Sequence, residues 1–194
     1  MSSIPLHNDV YPAIDYSVTA GTLKNKVAVI AGASRGIGQQ IAHSLAKAGA
    51  NVALLSLSGE NEVTKKLCAE EGVKVLSFKV DITDVPETEK VFKEIVGGLG
   101  EIDILVNNAA MLRRRPFAMD NVEDWWRVVE VNLKGVRLLV DILAHHSPFA
   151  RQLKFFPACE LAIPDVSLTS DLVRGLSMPL LQHLTFALKP LFSG

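Results

Sequence analysis

KVAVIAGASRGIG, residues 26–38, is the stretch that sets the architecture. Its first half, KVAVIA (26–31), is apolar, rich in β-branched side chains and free of polar alternation. That pattern predicts a strand buried on both faces, as in a parallel sheet. Gly32, Gly36 and Gly38 then mark a tight turn, and Ile37, Ile41, Leu45 and Ala48 follow at helical spacing until Gly49 closes the helix. Glycines let the backbone turn sharply and approach a ligand closely. The free N–H groups of the helix N-terminus, assisted by its dipole, then face an anion. A glycine triplet alone is a weak signal, because such turns often only end strands. Placed between a strand and an amphipathic helix, this one predicts a dinucleotide cradle made of Gly32, Ser34, Arg35, Gly36, Ile37 and Gly38.

The same rhythm continues downstream. NVALLS (51–56) reads as a second strand, and Glu62–Glu71 as a charged helix with Val63 and Leu67 inward. VKVLSFKVD (73–81) is a third strand; Thr83 or Asp84 caps a helix that has Pro86 early in it and runs to about Val96; IDILVNN (102–108) is a fourth strand. Strand and helix in alternation predict an α/β fold, a Rossmann-type doubly wound parallel sheet, incomplete on its C-terminal side. Asn121–His145 reads as one long helix whose apolar face runs from Val122 and Trp125 through Asn132 and Leu133 to Leu143, with one of Trp125 and Trp126 in the core. After His146 the rhythm stops. SPFARQLKFFPACELAIPDVSLTSD holds three prolines and no clean strand, and Ser177–Leu188 reads as a short amphipathic helix with Pro179 in its first turn. Unless this tail covers it, the fourth strand is an open sheet edge. The chain thus divides into an arm (1–25), a dinucleotide-binding domain (26–146) and a divergent tail (147–194) that is not a separate domain.

Composition narrows the partners. The 194 residues are 48% hydrophobic and 21% charged with a formal net charge of −1, which fits one globular domain and gives no reason to expect nucleic acid or an anionic membrane. The two cysteines, Cys68 and Cys159, have no metal-type or redox-type spacing, so a reduced, cytoplasmic setting and no metal are expected. Adjacent His145 and His146 point in different directions and read as a solvated helix end. RRRP (113–116) reads as a solvated charge run near the mouth of the site. The N-terminus lacks a basic region followed by an apolar run, and Leu172–Phe192 is interrupted by Arg174, Pro179, Lys189 and Pro190, so neither a signal peptide nor a membrane span is expected.

The cofactor type can also be read. An NAD site usually carries an acid about twenty residues on, at the end of the second strand, for the ribose 2′-hydroxyl. No Asp or Glu occurs from Gly32 to Gly59; the strand ends in Ser56, Leu57 and Ser58, and Arg35 sits in the turn where a guanidinium could meet a 2′-phosphate. Both features favour NADP(H).

Together these residues resemble the classical short-chain dehydrogenase/reductase family. GASRGIG (32–38) is similar to its glycine motif. VDITD (80–84) is similar to the aspartate motif after the third strand, which implies that Asp81 and Ile82 lie at the adenine ring. NNAA (107–110) resembles the family's Asn-Asn-Ala-Gly motif, with Ala110 in place of the usual glycine, and implies cofactor contacts for Asn108 and Ala109. VNLKG (131–135) resembles the helix that carries the family's catalytic asparagine, here Asn132, with Lys134 near the cofactor region. The VYPAID arm (10–15) looks like a subgroup of fungal members found in natural-product pathways. The resemblance runs from about residue 10 to His146. It implies NADP(H)-dependent oxidation or reduction of a small-molecule alcohol or carbonyl, and a homo-oligomer paired through the 121–145 helix.

The resemblance also says what the chemistry requires. In this family a tyrosine moves the proton, a lysine one helical turn on lowers its pKa, a serine orients the carbonyl and an asparagine holds a relay water. A phenol near pKa 10 needs a cation beside it to act near neutral pH. Here Tyr11 and Tyr16 both precede the glycine turn, and the lysines after Lys134 are Lys154 and Lys189. No Tyr-x-x-x-Lys follows Asn132, which is left as the sole candidate of the catalytic set. Three readings stay open: an oxidoreductase impaired as written, a non-catalytic dinucleotide-binding pseudoenzyme, and a truncated product.

Overall fold

The computed structural model describes residues 16–113, 121–146 and 185–188, with side chains for 18–113 and 121–146. A short helix α1 (Tyr16–Thr19) precedes β1 (Val27–Ala31), α2 (Gly36–Lys47), β2 (Asn51–Ser56), α3 (Glu62–Glu70), β3 (Val75–Lys79), α4 (Val85–Leu99) and β4 (Ile104–Asn107). Then come α5 (Val122–Val129), a π-helical segment (Glu130–Gly135), α6 (Val136–His146) and β5 (Thr185–Leu188). The sheet order is β3-β2-β1-β4-β5, with β1 to β4 parallel and β5 antiparallel on β4. Ala31 lies opposite Leu55 on one side and Asn107 on the other. The order reverses between β1 and β4, so a crevice opens beyond the C-terminal ends of those two strands.

Every residue of β1 is buried, as its unbroken apolar run predicts. Alternate residues serve opposite faces. Val29 joins Leu55, Phe92, Ile95, Leu105, Leu139 and Leu143 beneath α4 and α6. Ile30 joins Val52, Leu54, Ala42, Ala46, Cys68 and Val106 beneath α2 and α3. Helices therefore cover both faces, and the fold is the Rossmann-type doubly wound sheet. Burying Phe92 alone contributes roughly 1.5–3 kcal/mol. At the opposite end of the sheet Asp103 accepts from the Lys26 ammonium (3.1 Å) and the Val27 N–H (3.0 Å), fixing where β1 and β4 begin.

Several expectations change. In α2 the inward residues are Gly38, Ala42 and Ala46, while Ile37 is half exposed. Small residues let the helix lie close on the sheet, and the apolar stripe is displaced by one position. In α3 Thr64 and Cys68 face inward and Val63 faces solvent, because Thr64 has hydrogen-bond partners to reach on the glycine turn. Asp84, rather than Thr83, caps α4, accepting the Glu87 N–H at 3.0 Å.

The long helix is not regular. Glu130–Gly135 is wound as a π-helix between α5 and α6. Its buried side is narrower than the apolar pattern: Leu139, Ile142 and Leu143 enter the core, whereas Val122, Trp125, Trp126 and Leu133 are at least half exposed. Neither tryptophan is in the core; they meet edge to face with centroids 5.0 Å apart.

Thr185–Leu188 is a strand, not the end of a helix. It pairs with β4 in the register Asn107 to Thr185 and Ile104 to Leu188, so the β4 edge is covered rather than open. The physical reason is the row of unpaired N–H and C=O groups along that edge, which a strand satisfies and a helix does not. The expected helix start at Ser177, and the arm residues 1–15, lie outside the described residues.

Candidate cofactor site

The site is assembled at the turn between β1 and α2. The Gly32 and Ala33 N–H groups both donate to the Leu55 carbonyl, at 2.8 and 3.1 Å, which clamps the turn to the end of β2. Asn108 Nδ2 donates to the Gly32 carbonyl at 2.9 Å and clamps it to the end of β4. Gly32 has a left-handed φ of +78°, and a Cβ on it would lie 2.8 Å from Ala109 Cα. A Cβ on Gly38 would lie 2.1 Å from the Gly32 oxygen and 2.5 Å from Asn108 Nδ2. Gly32, Gly38, Asn108 and Ala109 thus form one close-packed knot that no larger side chains would allow.

The outer side of the turn is different. Gly36 has φ +59° and nothing within 4 Å of where a Cβ would stand. Arg35, extended and exposed, occupies the N-cap of α2 without a side-chain capping bond. The N-caps of α4 and α5, by contrast, are served by Asp84 and Asn121. The first N–H groups of any α-helix lack intrahelical acceptors. At α2 the first turn is exposed at Arg35, Gly36 and Ile37, an arrangement that fits a diphosphate.

Thr64 holds this geometry from α3. Its hydroxyl donates to the Ala33 carbonyl at 2.9 Å and accepts from Gln39 Nε2 at 3.1 Å, joining the turn to α2. Ser34 is half-buried beside it. At the end of β2, buried Ser56 accepts the Gly59 N–H at 3.1 Å, closing a turn that carries no carboxylate up to Gly59. Asn61, fully buried, directs Nδ2 to Ser77 Oγ (3.0 Å) and to the Leu54 and Phe78 carbonyls (both 3.4 Å), bracing β2 against β3.

The loop after β3 carries Asp81, Ile82 and Thr83. Asp81 Oδ1 accepts the Thr83 N–H (3.0 Å) and hydroxyl (2.7 Å), and Asp81 Oδ2 is paired with Arg127 Nη2. Arg127 Nη1 also donates to Thr83 Oγ1 (2.8 Å) and Glu130 Oε2 (3.3 Å). Burial works against the Asp81 charge, but the Thr83 hydrogen bonds and Arg127 outweigh it and hold the carboxyl below its usual range. Burial likewise opposes the Arg127 charge, and Asp81 and Glu130 outweigh it, so the guanidinium is held still more firmly protonated.

Beyond β4, the Asn107 side chain is buried and neither of its polar atoms has a partner among the described residues. Asn132, in the π segment, accepts the Met111 N–H at 2.8 Å and donates to the Met111 carbonyl at 2.9 Å. The candidate catalytic asparagine is therefore fixed to the loop leaving β4. Lys134 is mostly exposed and pairs with Glu130 at 3.9 Å. Arg113 is not a solvated charge: it pairs with Asp124, which Asn121 also holds. Arg114 and Arg115 lie outside the described residues. Thr64, Asn61 and Arg127 were not legible as site residues, because their partners lie far along the chain and no local motif marks them.

Comparison with known proteins agrees with this geometry. A family model for short chain dehydrogenases matches residues 26–150. A short chain dehydrogenase of Pseudocercospora fijiensis is 36% identical over 145 residues, covering 71% of this chain and 46% of that protein. The 3-oxoacyl-[acyl-carrier-protein] reductase FabG of Aquifex aeolicus is 37% identical over 119 residues, covering 60% and 48%. The carveol dehydrogenase of Mycobacterium avium, solved in complex with NAD, superimposes with a TM-score of 0.60 at 26% identity, over 64% of this chain and 50% of that one. The chain belongs to the short chain dehydrogenase family. Members are oxidoreductases of small molecules that bind a nicotinamide dinucleotide. The chain spans about half the length of these relatives or less. No helix among the described residues is long and apolar enough to cross a membrane.

Proposed function

We propose that residues 26–146 form the NADP(H)-binding domain of a carbonyl or alcohol oxidoreductase, with 1–25 an arm and 147–194 not a separate domain. The observation that carries the cofactor choice is the far end of the cradle: the β2 terminus offers Ser56 and no carboxylate, while Arg35 stands exposed at the N-cap of α2. When bound, the dinucleotide supplies hydride transfer. The chain's own part is to hold the diphosphate at Gly32–Gly38, the 2′-phosphate at Arg35 and Ser56, the adenine at Asp81 and Ile82, and the nicotinamide side at Asn108, Ala109, Asn132 and Lys134.

Turnover is a separate matter. Within these 194 residues no tyrosine follows Tyr16, so this stretch holds no Tyr-x-x-x-Lys pair after Asn132. We infer that this chain is an oxidoreductase that binds cofactor and is catalytically impaired as written, with a non-catalytic dinucleotide-binding pseudoenzyme as the second reading. The exposed Val122, Trp125, Trp126 and Leu133 support pairing of two copies along this helix. The arm's likeness to fungal natural-product enzymes supports a place in such a pathway, and a cysteine spacing of neither metal nor redox type supports a cytoplasmic location.

Fluorescence titration with NADPH and NADH tests the reading. NADPH is expected to bind about tenfold more tightly, the worth of one charge-assisted contact, and Arg35→Ala to remove most of that margin. Equal affinities in the wild type overturn the NADP(H) choice, and no binding of either leaves the truncated-product reading. Hydride transfer to a panel of ketones is expected at background; clear turnover overturns the impairment.

A further inference from the structure

We propose that Arg127 is a positioning residue that makes the adenine wall and the Asn132 segment one mechanical unit, so that filling the adenine subsite is felt at the Met111 amide. The inference rests on the reading of Asp81 and Ile82 as that wall. Three observations carry it.

The first is the Arg127 fork. One planar guanidinium serves Asp81 and Thr83 on the loop after β3 and Glu130, the first residue of the π segment. A lysine ammonium carries its three donors on one freely rotating nitrogen and would not hold all three acceptors in a fixed plane. Asp81 and Thr83 are themselves bonded to each other, so the fork grips a closed ring rather than a loose side chain.

The second lies at the other end of the same segment. A Cβ on Gly135 would stand 2.8 Å from Ile82 Cδ1, so Ile82 rests directly against the helix backbone there. Consecutive residues of one loop thus hold both ends of Glu130–Gly135. The third lies between them, where the Asn132 amide is doubly bonded to the Met111 backbone. The π segment thus touches the loop after β3 and the loop after β4. A ligand that orders residues 81–83 therefore restrains the segment, and through Asn132 restrains Met111. By reciprocity, loss of the fork must weaken binding at the adenine end.

The test uses ADP-ribose, which carries adenine and diphosphate but no nicotinamide, with amide hydrogen exchange resolved at Met111. In the wild type, ADP-ribose is expected to slow Met111 exchange about tenfold. In Arg127→Met the slowing disappears and ADP-ribose binds more weakly by a similar factor. Arg127→Lys restores part of both, and Thr83→Val, which keeps the Asp81 pair, loses part of both. Thr83→Val and Arg127→Lys decide the matter if Arg127→Met does not fold. Full slowing retained in folded Arg127→Met, or slowing undiminished in both Arg127→Lys and Thr83→Val, overturns the inference while leaving the cofactor reading intact, as does weaker binding without a change at Met111. Failure of the wild type to bind ADP-ribose overturns the adenine reading itself, and the inference with it.

Discussion

Gly36 and Gly38 stand two residues apart in one turn and answer to different constraints. Gly38 is fixed by packing: a methyl there meets the Gly32 carbonyl at 2.1 Å, and backbone must move. Gly38→Ala is expected to cost about 3 kcal/mol, read as a lowered Tm. Gly36 has open space above it and is fixed by its φ of +59°; in the proposed function it is also where the cofactor's diphosphate approaches. Gly36→Ala should cost only about 1–2 kcal/mol of stability but weaken NADPH binding severely. If the two variants lose stability equally, the division is wrong. Asp81 adds a pH dependence. Its folded pKa is lowered, so its stabilisation is present above the ordinary carboxylate pKa near 4 and is lost as pH falls through the lower folded value. Acid unfolding of Asp81→Asn should therefore show a shallower loss of stability below about pH 4 than the wild type.

Strands were the most legible elements and helix faces the least. KVAVIA and NVALLS are buried on both sides, so every residue carries the same message and an error of one position changes nothing. Helices α2 and α3 present one face, and there one position matters: Ile37 and Val63 look inward by spacing yet face out. Gly38 and Thr64 take the inner places for reasons of contact with the glycine turn. The tail strand was illegible because four residues acquire their conformation from an edge about eighty positions earlier. That pairing has a measurable effect. A chain ending at His146 exposes the β4 edge, and light scattering on warming should show it aggregating before the full chain does. Identical behaviour would mean that Thr185–Leu188 does not protect the edge.

For the molecule as a whole, the sheet order β3-β2-β1-β4 fixes where a dinucleotide can lie, and local motifs name the strand ends that meet it. That much of the candidate site was readable because Gly32–Gly38, Asp81, Asn108 and Asn132 each sit in a short recognisable string. The struts between those strings were not: Arg127 is 46 positions from Asp81, and Thr64 is 31 from Ala33. The π segment that gathers them has a genetic side. A π-helix fits one residue more into a stretch of α-helix. An in-frame deletion of one codon between Glu130 and Gly135 would restore regular helix and leave the faces of α5 and α6 in register, because the wider turn is what absorbs the extra residue. Leu139, Ile142 and Leu143 would keep their places in the core, and the loss would fall on the segment itself, where Asn132 is bonded to Met111. Purifying selection here acts on reading length as well as on residue identity, and a one-codon loss should be rarer in this helix than most substitutions.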